Sequence, residues 1–392
     1  MITRRILKGQ CIRANLTSKK VSVFVSFLAL ATTCESFRGF ATAPTTSFSF
    51  EMSSSLLHGA NTNILSANVT TPSTTWSGDT EQRQKALERC IIPLSSSSYK
   101  GSSGRIGVLG GSERYTGAPY YAAMASLKCG ADLAFCFCAE EAAIPLKSYS
   151  PELMVAPVYN AAAFETALRN KRSDDDYEVK KLVDGMVEEV CSMMDKMHAL
   201  VLGPGLGRSP LVLEATAQII QRAQREHQLP LVVDADALFL LTLPKYQTLL
   251  TDESLVVLTP NAMELRRLKE SSCNLPVRCI VIEKGVADII RPVSTDSQRF
   301  PIVCGETGGL KRSGGIGDIL AGTCGTLVAW NRILTARGKA SYDDVPIACW
   351  TACCFVKRAT KKAYDIHRRS MTAPDILHEL GPIIDEMTFD DC

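Results

Sequence analysis

The run Gly308-Gly309-Leu310-Lys311-Arg312-Ser313-Gly314-Gly315-Ile316-Gly317-Asp318 holds the residue types that handle a phosphoryl group. Glycines let a backbone come close to a ligand. The apolar, small-residue stretch from Ile319 to Trp330 follows directly and reads as a helix. The unpaired N–H groups of its first turn, together with its dipole, make an anion hole. Such a hole suits the charge that develops on a phosphoryl group in transfer. Asp318 stands at its rim and can take the proton from an attacking hydroxyl. A glycine-rich turn alone says little. Gly-Gly-x-Gly-Asp ahead of a helix says more, because one element then carries an oxyanion site and a base.

The elements that must position this loop are legible as an alternation. Arg105 to Leu109 reads as a strand before a Gly110-Gly111 turn, and Ala118 to Lys128 as a helix of small residues. Strands follow at Leu133 to Cys138, Ala199 to Leu202, Leu231 to Asp234, Leu255 to Leu258 and Cys279 to Ile282, with an amphipathic helix at Leu211 to Glu226. Strands alternating with helices predict an α/β fold with a mostly parallel sheet. Polar or glycine signals follow the carboxyl ends of successive strands, the edge where open α/β sheets bind ligands. Gly203 to Gly207, Asp234 and Asp236, Asn261 and Glu264, Lys284 and Asp288, and Gly314 to Asp318 are expected to converge there. No sequence repeats occur, and Lys171 to Lys181 reads as a solvated charged surface.

Each motif also has a plainer reading. Gly203-Pro204-Gly205-Leu206-Gly207 brings backbone close to a substrate or is only a tight turn; Pro204 and the missing later acid argue against a dinucleotide fingerprint. No G-x-x-x-x-G-K-[ST] is present, so a P-loop is excluded. Asp234 and Asp236 hold Mg²⁺ or orient substrate, or Asp236 caps the next helix. Asn261 and Glu264 have the capping-box spacing, and the capping reading leads. Lys284-Gly285-Val286-Ala287-Asp288 meets phosphates or makes a hairpin turn. Tyr120 and Tyr121, after Tyr115-Thr116-Gly117-Ala118-Pro119, stack on a ligand ring or pack in the core.

The chain has 392 residues, 46% apolar and 21% charged, enough for a sizeable core. Its formal charge of +2 is uneven: residues 1–50 hold seven Lys/Arg and one acid, so the body is mildly acidic. That gives no reason to expect nucleic-acid binding. Val21 to Ala31 is an apolar run too short to span a bilayer. A basic start, this short run and a Ser/Thr-rich stretch to about Ser77 form a targeting pattern. Its bipartite order resembles plastid targeting, with a mitochondrial presequence as the rival and a cytosolic form from Met52 as the alternative. Residues 1–80 are therefore expected to be a targeting and disordered segment, and 81–392 the folded domain. The fifteen cysteines sit in apolar contexts without a C-x-x-C pair or a nearby histidine, as core thiols of a reducing compartment do.

Taken in order, these pieces resemble one family. From about Ile91 to Ile384 the chain resembles the eukaryotic ATP-dependent (S)-NAD(P)H-hydrate dehydratases of the ribokinase-like superfamily. The resemblance rests on Lys100-Gly101 to Gly111, Tyr115 to Tyr120, Lys128 to Leu133, Ser148 to Leu153, Leu202 to Arg208, Val233 to Leu238, Leu258 to Asn261 and Gly308 to Gly322. It implies a ribokinase-like three-layer fold, a central mostly parallel sheet with helices on both faces, and repair of hydrated NADH or NADPH, with ATP as co-substrate and Mg²⁺. It implies that Gly205, Asn261, Ala262, Met263, Glu264, Leu265, Arg266 and Arg267 contact the hydrated nucleotide, with Asp318 as the base. Lys284, Gly285, Val286, Ala287 and Asp288 would hold ATP with Gly308, Gly309, Leu310, Lys311, Arg312, Ser313, Gly314, Gly315, Ile316 and Gly317. Metal ligands are not assigned. The partner epimerase would lie on another chain, and a homo-oligomer stays open.

The chain departs from that family in places. The segment between Leu268 and Cys279 is short, Ile316 and Ser313 stand where polar and cysteine residues are usual, and Ala262 and Ala287 replace larger or polar ones. The competing readings are a ribokinase-like kinase of a small vitamin-precursor alcohol and a non-catalytic nucleotide-binding protein.

Overall fold

The computed structural model describes residues 71–171, 176–293 and 300–389. In chain order the elements are β1 (Ser73–Thr74), α1 (Thr80–Arg89), β2 (Arg105–Leu109), α2 (Gly117–Cys129), β3 (Leu133–Ala139), α3 (Glu140–Tyr149), β4 (Met154–Tyr159), α4 (Ala161–Asn170), α5 (Tyr177–Cys191), β5 (Ala199–Leu202) and α6 (Pro210–Arg225). There follow β6 (Leu231–Val233), α7 (Ala235–Thr242), β7 (Val256–Leu258), α8 (Ala262–Glu270), β8 (Cys279–Glu283), β9 (Asp288–Pro292), β10 (Ile302–Cys304), α9 (Ile316–Ala336), α10 (Val345–His367) and α11 (Ala373–Phe389).

The strands form one sheet, ordered β1-β10-β9-β8-β7-β6-β5-β2-β3-β4. From β8 to β4 every pairing is parallel; β9 runs antiparallel to β8 and to β10. This bears out the α/β expectation, with strand ends shifted by a residue at β3, β6, β7 and β8. The chain winds outward from β2 through β3 to β4, then returns to β5 on the other side of β2. The order therefore reverses between β2 and β5, and a crevice opens there beyond the strands' carboxyl ends. Alternate side chains along each strand serve opposite faces. Val201 packs into the layer that holds α2, α9, α10 and α11, while Leu200 and Leu202 pack into that of α3 and α5 to α8.

The small residues of α9 let it lie unusually close to its neighbours. A β-carbon on Gly322 would fall 1.9 Å from the Ala122 carbonyl oxygen of α2, so only glycine fits. Ser126 of α2 bonds the Gly322 carbonyl at 3.0 Å. This contact fixes where the helix's N-terminus meets the crevice.

One boundary needs correcting. The fold starts before residue 81: β1 pairs with β10, Trp76 is buried, and its ring stacks on Trp350 at 5.7 Å. The Trp76 N–H donates to Glu306 Oε1 at 2.8 Å. Ser/Thr-rich composition hid this two-residue strand. The targeting pattern of residues 1–70 lies outside the described residues, as do 172–175 of the charged stretch. Among the described residues no helix is long and apolar enough to cross a membrane. The twelve described cysteines are free and buried.

Candidate active site

The site grows from the N-terminus of α9. Gly315 is its N-cap residue, with φ of 95° and no side-chain cap, so the N–H groups that open the helix, at Ile316 and Gly317, are uncapped. A β-carbon there would also meet Ala373 at 2.6 Å and the Tyr121 ring at 2.8 Å. Tyr121 thus packs beneath the glycine loop. Tyr120 meets Tyr121 and Tyr149 edge-on, which favours the packing reading of these rings.

Asp318 lies in the first turn of α9, half-buried. Burial, and then the charge of Asp234, push its carboxyl up to about 7, against the pull of Lys284. Such a group can exchange a proton near neutrality. Lys284, at the end of β8, donates to Asp234 Oδ1 at 2.8 Å; both are largely buried. Burial alone would depress the Lys284 ammonium, but Asp234, with Glu264 and Asp318, holds it above its usual value. Glu264 is raised chiefly by burial. Gly317 lies close to this pair: a β-carbon there would sit 3.2 Å from Lys284 Nζ, a tight contact with the end of that side chain.

Two cavities flank this cluster. The first, about 640 Å³, includes Ser112, Tyr115, Tyr159, Phe164, Gly205, Arg208, Asp236 and Asp318 in its wall. Gly205, at φ 62°, accepts from Ser112 Oγ at 2.9 Å through its carbonyl. Asp236 accepts from the Gly207 N–H (3.0 Å) and from Arg208 Nε (2.8 Å), and Arg208 lies over the Phe239 ring. Asp236 therefore holds the glycine turn. It does not cap α7, whose N-cap position is Asp234.

The second cavity, about 590 Å³, is lined by Asn261, Lys284, Gly285, Val286, Asp288, Gly308, Arg312, Ser313, Ile316, Gly317, Leu320, Val356, Lys357 and Thr360. Lys284 to Asp288 forms the β8–β9 hairpin turn, and Lys284, Gly285, Val286 and Asp288 line this cavity. Lys357 of α10 braces that turn. It donates to the carbonyls of Gly285 (3.0 Å) and Val286 (2.9 Å) and pairs with Asp288 at 3.3 Å.

Not every anticipated residue reaches a cavity. Asn261 and Glu264 make the full capping box of α8. Asn261 lines the second cavity; Ala262, Met263, Arg266 and Arg267 are exposed on α8, Arg266 pairing with Glu270, and Leu265 is buried in the core. Gly309 packs on Tyr364 of α10, while Leu310 and Gly314 are exposed. Lys311 and Ala287 are half-buried and, with Gly315, belong to neither cavity wall. Lys357 and Thr360 were not anticipated. Lys357 stands beside Arg358 in α10, and nothing in the sequence set it apart from its basic neighbours.

The model of a family described as NAD(P)H-hydrate dehydratase matches residues 106–381 of this chain. The chain belongs to the NAD(P)H-hydrate dehydratase family. Among its relatives in that family, the ATP-dependent (S)-NAD(P)H-hydrate dehydratase of Mus musculus is 35% identical over 315 residues, 75% of this chain and 82% of the relative. The Homo sapiens protein of that name is 33% identical over 320 residues, covering 77% and 84%. Solved structures agree on a ribokinase-like fold. A ribokinase-like superfamily protein from Enterococcus faecalis superposes with a TM-score of 0.56 at 20% identity, covering 78% of this chain and 94% of its own. The Bacillus subtilis ADP/ATP-dependent NAD(P)H-hydrate dehydratase, co-crystallized with ATP/Mg²⁺, gives 0.56 at 16%, covering 82% and 100%.

Proposed function

We propose that this protein is an ATP-dependent carbon–oxygen lyase that returns the S form of hydrated NADH or NADPH to the reduced nucleotide. The observation that carries the reading is Asp318: a base poised near neutrality, at a helix N-terminus, beside two cavities of different character. Hydroxide leaves a ring carbon poorly, and phosphate leaves well. Asp318 takes the proton of the added hydroxyl, whose oxygen attacks the γ-phosphorus of ATP; the bond to ADP breaks. The open N–H groups of α9 stabilise the charge on the transferring phosphoryl group. The ring nitrogen's lone pair then expels phosphate, and loss of a ring proton restores the dihydropyridine. The protein's share is to position, deprotonate and stabilise charge.

In this reading Gly205 and Asp318 face the hydrated ring from the first cavity. The Lys284–Asp288 turn and the Gly308–Gly317 loop hold ATP in the second. Of the Asn261–Arg267 segment we retain Asn261, which lines the second cavity, and Glu264, whose charge acts on Lys284 and Asp318. Mg²⁺ would travel with the nucleotide's phosphates. Among the described residues no three His, Cys, Asp or Glu form a ready cage, which suits an ion held by phosphate oxygens and one or two carboxylates. Asp234 and Glu264 are the candidates, and the ion would neutralise phosphate charge. An epimerase on another chain would supply the S form from its stereoisomer. Residues 1–70 are read as an organellar address, plastid or mitochondrial; a fluorescent fusion of that segment tests this.

The deciding assay supplies Mg-ATP and mixed hydrated NADH stereoisomers and follows the return of reduced-nicotinamide absorbance. ATP-dependent recovery that stops when the S form is consumed is expected. ATP turnover without recovery would point to a stable phosphoester product and a different alcohol substrate.

A further inference from the structure

The opposite edge of the sheet carries a third cavity, about 260 Å³, whose wall includes Tyr99, Arg105, His198, Arg332 and Arg337. Arg105 opens β2, His198 precedes β5, and Arg332 and Arg337 sit at the C-terminal end of α9. Three guanidinium groups thus meet where the active-site elements have their far ends.

Their hydrogen bonding does not close. The Arg105 N–H donates to His198 Nδ1 at 3.1 Å, which puts the proton of the neutral ring on Nε2. Burial and the three arginines lower His198 to about 4, so the neutral ring is the relevant one. Arg105 Nη2 then lies 3.2 Å from Nε2, a donor facing a donor. Arg105 Nε and Arg332 Nη1 are buried without any hydrogen-bond partner. Arg332 Nη2 and Arg337 Nη2 reach only backbone carbonyls, of His227 and Ser102.

Neighbouring carboxylates do not supply the missing acceptor. Asp132 accepts the N–H groups of Gly101 and Ser103, and Asp195 bonds His227. Among the described residues no ion pair joins a carboxylate to any of the three arginines. The dipole of α9 favours a cation near its C-terminus, which accounts for Arg337 but not for an orphaned Nε on a strand. Buried donors without acceptors are costly, and a bound group that accepts from all of them removes the cost.

We propose that this cavity binds a small phosphate-type oxyanion, distinct from the nucleotide in the active site. A tetrahedral oxyanion offers acceptors in several directions and pairs bidentately with guanidinium. A carboxylate offers two oxygens in one plane, too few for Arg105, Arg332, Arg337 and His198 Nε2 together. The volume suits inorganic phosphate or pyrophosphate, not a dinucleotide. The inference does not depend on the activity proposed above.

The test uses the full chain and phenylglyoxal, which modifies arginine, with sites mapped by mass spectrometry. Sodium phosphate, acetate and chloride are compared at equal ionic strength with Mg-ATP present. Phosphate is expected to slow modification of Arg332 and Arg337 by about fivefold, the effect of roughly 1 kcal/mol of occupancy, with acetate matching chloride. Equal rates in phosphate and chloride, or equal protection by acetate, would overturn the proposal. Calorimetric titration with phosphate provides a second reading: Arg332→Gln should weaken the site about tenfold, the scale of one charge-assisted bond. Unchanged affinity in the folded variant would also overturn it, and the protection measurement stands should that variant fail to fold.

Discussion

The two cavities beside α9 are nearly equal in size and opposite in chemistry. In the first, Arg208 is already engaged by Asp236, and Tyr115, Tyr159 and Phe164 supply ring surface. In the second, Lys284, Lys357 and Arg312 gather around glycine backbone and a hairpin turn. A ring system suits the first, and a string of phosphates the second. The difference teaches that one helix terminus serves both: Gly317 lines the anion side, while Asp318 lines the ring side. Phosphoryl transfer needs a base and an anion hole within one bond's reach, and a single turn of helix supplies them.

That division of labour can be broken experimentally. The largest effect belongs to the shared element: Asp318→Asn should lower kcat by about 10²–10⁴-fold while leaving ATP binding intact. Near-wild-type turnover in a folded variant would remove Asp318 from its role. In the parent protein kcat/KM should fall as pH drops through about 7, where the Asp318 carboxylate takes up its proton. Stability should move the other way. A folded pKa above the unfolded one means that ionisation opposes folding, so this residue's contribution declines from about pH 4 to about 7. Asp318→Asn should therefore raise Tm at pH 8, and an unchanged or lower Tm would contradict the buried environment.

Lys284→Met sharpens the anion side. It should reduce kcat/KM for ATP by about 10²-fold and cost about 3 kcal/mol of stability, because Asp234 is left buried and unpaired. Urea unfolding reads the second effect and steady-state kinetics the first. The smallest change probes the ring side. At Gly205→Ala the added methyl would sit 2.9 Å from Tyr115 Cβ on a left-handed backbone. KM for the hydrated nucleotide should rise about tenfold, with KM for ATP unmoved, as strain of about 1–2 kcal/mol predicts. Equal changes in both Michaelis constants would merge the two cavities into one functional site.

Much of this was legible in the residues because the physics involved is local. Apolar strand runs, the glycines before Asp318 and the Asn261–Glu264 spacing each act within a few positions. What stayed hidden depends on distant partners. Asp234 and Asp236 look alike in sequence; one binds Lys284 and the other the Gly207 turn, and only the fold tells them apart. Lys357 braces a turn some seventy residues earlier in the chain. Asn261 to Arg267 read as one contacting segment, yet helical periodicity sends Arg266 to solvent and Leu265 to the core.

The short strand at Ser73–Thr74 sets a limit on how far the chain can be shortened from its N-terminus, because these residues already belong to the sheet. A cut at residue 80 would strip the outermost strand, leave Glu306 without its Trp76 N–H partner and bare the face of Trp350. The edge of the sheet thus fixes where the indispensable part of the chain begins.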